Sequence, residues 1–206
     1  MAKSDFIYLA SQSPCRRQLL EQLGVRHELL LPNVDGDLEE DAEGLEAVRP
    51  GEAPARYVAR VTGLKLDAAL ARLKRRGLPS APVLCSDTTV ALGRRIYGKP
   101  DDEAHARAML SELAGRTHRV LTAVAVQQGR RRVTALSESR VTFAPMTPAQ
   151  IKAYVATGEP MGKAGAYGVQ GRAAAHIAQL SGSYSGIMGL PVFETAELLR
   201  SLGWKL

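Results

Sequence analysis

Short apolar runs bounded by polar turns, interleaved with longer stretches of helical spacing, set the pattern of this chain of 206 residues. Phe6-Ile7-Tyr8-Leu9-Ala10 predicts a first strand. Ser13 suits an N-cap and Pro14 the first helical position, so a helix is expected through Leu19, Leu20 and Leu23 to a stop at Gly24. His27 to Leu31 reads as a second strand, and the acidic, glycine-containing segment from Asn33 to Glu46 as a mobile loop. Glu52-Ala53-Pro54 opens a long helix with Tyr57, Val58, Val61, Leu64, Ala68 and Leu73 on helical spacing, closing at Gly77. A buried strand from Val83 to Val90 turns through Gly93-Arg94-Arg95 toward Gly98-Lys99-Pro100. Asp101 or Asp102 caps a helix carrying Ala106, Met109, Leu110 and Leu113. Val120 to Val126 is a buried strand, followed across Gln128-Gly129 by a long one from Val133 to Phe143. Thr147-Pro148 starts a helix to Val155. The glycine-rich stretch from Lys163 to Gly171 describes a loop whose backbone approaches something closely. A strand from Ala174 to Leu180, the turn Gly182-Ser183-Tyr184-Ser185 and a helix near Phe193 to Leu202 complete the chain. Strands and helices mix without strict alternation and no linker or repeat divides them. The expectation is one α/β domain over 1–206, a mixed sheet in two lobes with a cleft.

The chemistry centres on Val83-Leu84-Cys85-Ser86-Asp87-Thr88-Thr89-Val90. A carboxylate inside an apolar run is costly unless it is paired or bound to a metal. The plainer alternative is an Asp capping a turn at a strand end. The hairpin that follows would return Lys99 beside Asp87. An acid and a lysine at one strand end suit metal and phosphate binding, with the acid polarising a water. Arg16 and Arg17 fall in the first turn of the first helix, where positive side chains oppose the helix dipole. They make sense around an anion, or as surface arginines of a solvated helix.

The net charge of +6 and pI of about 9.5 favour an anionic partner, either nucleic acid or a nucleotide. The basic residues are scattered, and the few aromatics are not interleaved with them, which argues against a stacking platform for single strands. Two cysteines without metal-ligand spacing imply a reduced compartment and no zinc site. No signal segment or membrane-length apolar run is evident, so the chain is expected in the cytoplasm and off the membrane. Gly158 to Ala164 resembles a Walker loop but lacks its spacing and the hydroxyl after the Lys.

Six clusters occur in order: Leu9-Ala10-Ser11-Gln12-Ser13-Pro14 with Arg16-Arg17, Ser86-Asp87-Thr88, Gly98-Lys99-Pro100, Gly115-Arg116-Thr117-His118, the stretch from Lys163 to Gly171, and Gly182-Ser183-Tyr184 leading to Gly189-Leu190-Pro191. With them the chain resembles the Maf family of nucleoside triphosphate pyrophosphatases over nearly its whole length. The resemblance implies an elongated, two-lobed, mixed-sheet α/β fold of the Maf/ITPase type with a central cleft, often in a homodimer. It implies hydrolysis of a nucleoside triphosphate to the monophosphate and pyrophosphate with Mg²⁺ or Mn²⁺, and no nucleic-acid partner.

Carried over by motif, Asp87 matches the catalytic acid and a metal contact. Ser11, Ser13, Arg16, Lys99 and Lys163 match the phosphate cleft, and Arg60 and Lys65 a basic pair on the long helix. Thr88 and Gln170 match the branch that acts on dTTP and UTP. The 7-methyl-GTP branch has Gln after the Asp and Glu in place of Gln170. Two departures stand out. Cys15 occupies a specificity position where the pyrimidine branch has Arg and the other branch Trp, so a roomier, less exclusive pocket is expected. Asp35-Gly36 replaces two adjacent acids, leaving Asp35 or Asp37 as the second metal contact. The alternatives are a 7-methyl-GTP-type or broad-specificity enzyme, or a non-catalytic nucleotide sensor acting on septum formation.

Overall fold

The computed structural model describes residues 5–34 and 37–206, with the backbone alone for Ala42 and Glu43. In chain order the elements are β1 (Ile7–Leu9), α1 (Pro14–Gln22), β2 (His27–Leu29), α2 (Ala42–Leu45), α3 (Pro54–Arg75), β3 (Val83–Leu92) and β4 (Arg95–Tyr97). They continue with α4 (Glu103–Leu113), β5 (Thr117–Gln128), β6 (Arg131–Phe143), α5 (Pro148–Val155), β7 (Ile177–Ser181), α6 (Tyr184–Met188) and α7 (Val192–Ser201). Short 3₁₀ turns span Ala164–Ala166 and Arg172–His176. The strands form one mixed sheet in the order β2-β1-β3-β5-β6-β7, with β4 on β3. The β2-β1-β3 pairs are parallel and the rest antiparallel. No helix among the described residues is long and apolar enough to cross a membrane.

Local chemistry sets most boundaries. Ser13 caps α1 by accepting from the Arg16 amide, and Asp102 caps α4 through the His105 amide. Thr147 and Gln150 close a reciprocal capping box at α5. The apolar stripe of α3, with Val58, Val61, Leu66 and Ala69, lies on one face of the sheet.

β3 carries the layout because alternate residues point to opposite faces. Val83, Cys85 and Ala91 pack against α3, whereas Leu84 packs with Leu19 and Leu20 of α1 and Leu199 of α7. Farther along, Val90 joins the cluster of α4, α5 and the 163–171 loop. The strands β3, β5 and β6 therefore run through both halves of the molecule. β5 alone, with 12 residues, extends for about 40 Å.

Two expectations on this scaffold are corrected. The acidic segment is not a free loop over its described part, because α3 pins it. Arg72 forks onto Glu40, with its Nη1 on the Leu30 carbonyl at 2.7 Å, and Arg75 and Arg76 hold Asp37. The arginine hydrogen bonds keep Asp37 well below the usual carboxylate range and lower the Glu40 pKa as well. The strand expected from Ala174 begins only at Ile177, because Arg172–His176 winds into a 3₁₀ turn capped by Glu159.

The pinning has a measurable consequence. The Arg72 side chain is only 5% exposed and that of Glu40 17%. Arg72→Leu should lower stability by about 3 kcal/mol, since it leaves a half-buried carboxylate short of its partner. A denaturant midpoint unchanged from wild type would show the segment to be loosely held.

Candidate active site

The sheet has a gap. β1 pairs with β3 only at Val83 and Leu84, with a last bond from the Ala10 amide to the Leu84 carbonyl. β4 takes up the same edge only from Val90. Between them, Cys85–Thr89 has no strand partner on that side among the described residues. A cleft of about 700 Å³ opens at this gap. Because the edge is bare, side chains from both faces of β3 reach it. Asp87 enters from the α3 face and Thr88 from the α1 face.

Most of the expected site residues line this one cleft: Ser11, Ser13, Cys15, Arg16, Lys65, Asp87, Thr88, Lys99, Lys163 and Gln170. Arg60 and Asp35 are not among them. Arg60 lies outside the lining, with its guanidinium forked onto Glu52 at 2.6 and 2.7 Å. Asp35 lies outside the described residues.

The lysine on Asp87 is not the expected one. Lys65 of α3 donates to Asp87 Oδ1 at 2.5 Å, while Lys99 donates to Glu46, at 3.1 Å to the nearer oxygen. The reason is the strand alternation: Asp87 points to the face that α3 covers, whereas the hairpin returns Lys99 along the edge. Lys65 also donates to Glu46 Oε1 at 2.7 Å, so one ammonium bridges two carboxylates. Burial disfavours the Lys65 ammonium, but the charges of Asp87 and Glu46 outweigh it and raise its pKa. Burial likewise opposes the Glu46 charge, yet the hydrogen bond from Lys65 and the charges of both lysines hold its carboxyl below the usual range.

Arg16 organises the other wall. Its Nε donates to the Gly189 carbonyl at 2.8 Å, Nη1 to Ser11 Oγ at 3.2 Å and Nη2 to Thr88 Oγ1 at 3.4 Å. Ser86 also lies 2.9 Å from the Gly189 carbonyl, and Thr122 donates to the Gly186 carbonyl at 2.7 Å while meeting Thr88 at 3.0 Å. Gly189 sits at φ 121°, a conformation that favours glycine. Buried hydroxyls of the sheet thus fix the turn after α6, and that turn fixes the guanidinium. Burial lowers the Arg16 pKa from its ordinary value, offset in part by the charge of Asp87.

The far wall is the 163–171 loop. Gln170 donates from Nε2 to Cys15 Sγ, so two of the expected specificity residues touch. Beneath the loop, the Glu159 carboxylate accepts from Tyr154 Oη and from the Arg172 amide, both at 2.8 Å. The buried His118 shares a 2.7 Å hydrogen bond with Tyr167 Oη. Glu46 and Glu159 were not legible as site residues. Each is one acid among several, and its partners are distant in sequence.

A cleft lined by Asp87 and Glu46, by Lys65, Lys99, Lys163 and Arg16, and by the Gln170–Cys15 pair can hold an anion. The comparisons with known proteins point the same way. Residues 6–202 match the family described as Maf-like protein. A protein of Albidiferax ferrireducens named dTTP/UTP pyrophosphatase is 70% identical over 98% of this chain and 100% of its own length. One of the same name from a Polaromonas strain is 68% identical over the whole of both chains. Among solved structures, the Staphylococcus aureus Ham1 protein aligns with 66% of this chain and 70% of its own at 14% identity. The TM-score of that alignment is 0.35.

Two outcomes follow from the loop's supports. A β-carbon at Gly171 would lie 2.2 Å from a Glu159 carboxylate oxygen. Gly171→Ala should therefore unseat that carboxylate and cost about 1–3 kcal/mol. Adding it to Glu159→Ala should cost little more than Glu159→Ala alone, and simple additivity in denaturant midpoints would place the clash elsewhere. Burial also pushes the His118 imidazole down from 6.5 to about 4. The folded state then binds fewer protons than the unfolded chain, so the stability is complete above pH 6.5 and is lost as pH falls toward 4. The loss should reach about 3 kcal/mol. Denaturant titrations of wild type and His118→Asn across this window should differ in slope; parallel curves would place the charge change elsewhere.

Proposed function

The chain belongs to the Maf family, and on that premise we propose that it hydrolyses nucleoside triphosphates to the monophosphate and pyrophosphate, with dTTP and UTP as substrates. The observation that carries this reading is the convergence of Arg16, Lys65, Lys99 and Lys163 on one cleft with the Asp87 carboxylate. The relatives named for the same reaction support it over nearly the whole chain.

The triphosphate lies along the basic end of the cleft. Asp87 faces the water that attacks the α-phosphorus and takes its proton. Lys65, bonded to Asp87, holds the carboxylate in place from the α3 side. Arg16 and Lys99 contact phosphate oxygens and balance the charge that grows on the leaving pyrophosphate. Arg16 is prepared for this, since its fork is already fixed by neutral acceptors and keeps its full charge for the ligand.

A divalent cation fits this donor set in the manner of magnesium, which takes one or two carboxylates and the substrate's phosphates rather than an all-protein cage. Among the described residues no group of three or more His, Cys, Asp or Glu side chains could hold a metal ion. Asp87 would supply the protein's contact, with Glu46 beside it across Lys65. When bound, the ion offsets the charge of the triphosphate.

The base is read at the other end. The Gln170 amide both donates and accepts, which matches the carbonyl and N–H edge of a pyrimidine. Cys15 is a small, weakly polar wall there and leaves the pocket roomier than an arginine would.

Asp87→Asn should fold like wild type and lose about 10²–10⁴ in kcat. Chromatography of the wild-type reaction should show the monophosphate and pyrophosphate. Orthophosphate as the first product, or near-normal turnover by the folded variant, would overturn the assignment.

A further inference from the structure

The two lysines that a triphosphate needs are already neutralised from within. Glu46 accepts from Lys65 at 2.7 Å and from Lys99 at 3.1 and 3.2 Å, and Asp87 accepts from Lys65 at 2.5 Å. Two carboxylates thus face two ammoniums. The charge left for a ligand is that of Arg16 and Lys163, which are bound to neutral oxygens. The Glu46 main chain is held independently, because its carbonyl accepts from Tyr57 Oη at 2.9 Å. The segment before it is clamped to α3 by Arg72 and Arg75. When a ligand takes the lysines, the Glu46 carboxylate has no loop motion by which to withdraw. With its main chain held, the carboxylate stays within one side chain's reach of whatever takes the lysines.

The consequence depends on what the phosphates bring. A metal-free triphosphate sets phosphate oxygens against a half-buried carboxylate, a like-charge contact that costs binding. A triphosphate carrying a divalent cation presents a positive charge for the same carboxylate to face. We propose that Glu46 is a specificity-determining residue, which makes the cleft select the metal-bound triphosphate over the metal-free one. This rests on the pyrophosphatase reading above and adds to it the form of the substrate that is accepted.

Calorimetry with a dTTP analogue carrying a methylene bridge between the α- and β-phosphorus tests it without turnover. Wild type, Glu46→Gln and the surface control Glu103→Gln are titrated in EDTA and again in excess Mg²⁺. In EDTA, Glu46→Gln should bind the analogue about 10- to 100-fold tighter than wild type. In Mg²⁺ that advantage should vanish or reverse, and Glu103→Gln should track wild type throughout. An equal ratio of the two dissociation constants in wild type and Glu46→Gln would overturn the inference. So would an equal gain in Glu103→Gln, which would make the effect one of overall charge. If Glu46→Gln fails to fold, Glu46→Asp, which draws the carboxylate back from Lys99, should give an intermediate ratio, and an unchanged ratio there overturns the inference as well. Wild type that binds no analogue even with Mg²⁺ would instead sink the pyrophosphatase reading itself.

Discussion

Along one edge of β3, from Cys85 to Thr89, no neighbouring strand of the described chain takes up the main-chain hydrogen bonds. The Pro82 and Leu84 carbonyls accept from β1 on this edge, so the even-numbered residues point their main-chain groups toward it. Ser86 and Thr88 therefore turn N–H and C=O into the cleft. A bare edge is ordinarily a liability, because it invites further strands. Here the gap is short and walled by the turn before α1 on one side and the β4 hairpin on the other. The opposite edge of β3 is paired with β5 without interruption from Val83 to Ala91. The strand stays rigid while its edge stays open, and successive side chains can act from opposite faces of the sheet.

That division explains how one short segment serves two tasks. On the α3 face, Asp87 meets Lys65 and through it Glu46. On the α1 face, Thr88 meets Arg16 and Thr122. Burying charge on the first face requires every partner to be present, since a lone buried ion is far costlier than a matched set. The Arg72, Arg75 and Arg76 clamp on Asp37 and Glu40 supports that set from a distance by fixing the segment that delivers Glu46. The second face is built from neutral hydroxyls and carbonyls, which hold Arg16 without consuming its charge.

The parts of this arrangement legible in the sequence are the local ones. Ser13, Asp102 and Thr147 announce their helices because a cap acts within one turn. Asp87 stands out because an acid inside an apolar run needs a reason. Its lysine was misplaced, because the choice between Lys65 and Lys99 turns on which face of β3 the acid occupies, and that is decided by which helix covers the sheet. The acidic segment looked free because its partners lie on α3, some 32 to 39 residues away. Ala174 to His176 reads as strand because its alanines are apolar. The Glu159 carboxylate that caps Arg172–His176 as a 3₁₀ turn comes from 13 residues earlier.

Arg16 and Cys15 are anchored to different depths of the fold. The two are adjacent in the first turn of α1, yet their surroundings are unlike. Arg16 is fixed on the Gly189 carbonyl, and that carbonyl is fixed in turn by Ser86 on the sheet. Its position depends on the core and not on its neighbour's side chain. Cys15 meets Gln170, which is exposed on the loop from 163 to 171, and nothing in the core relies on that contact. A larger or charged residue at position 15 would meet a loop side chain that can turn aside, with the guanidinium left where it is. The loop in turn rests on Glu159 and on the His118–Tyr167 bond rather than on the Cys15–Gln170 contact. The Cys15–Gln170 contact can therefore be exchanged alone, whereas the Arg16 guanidinium is tied to the fold itself.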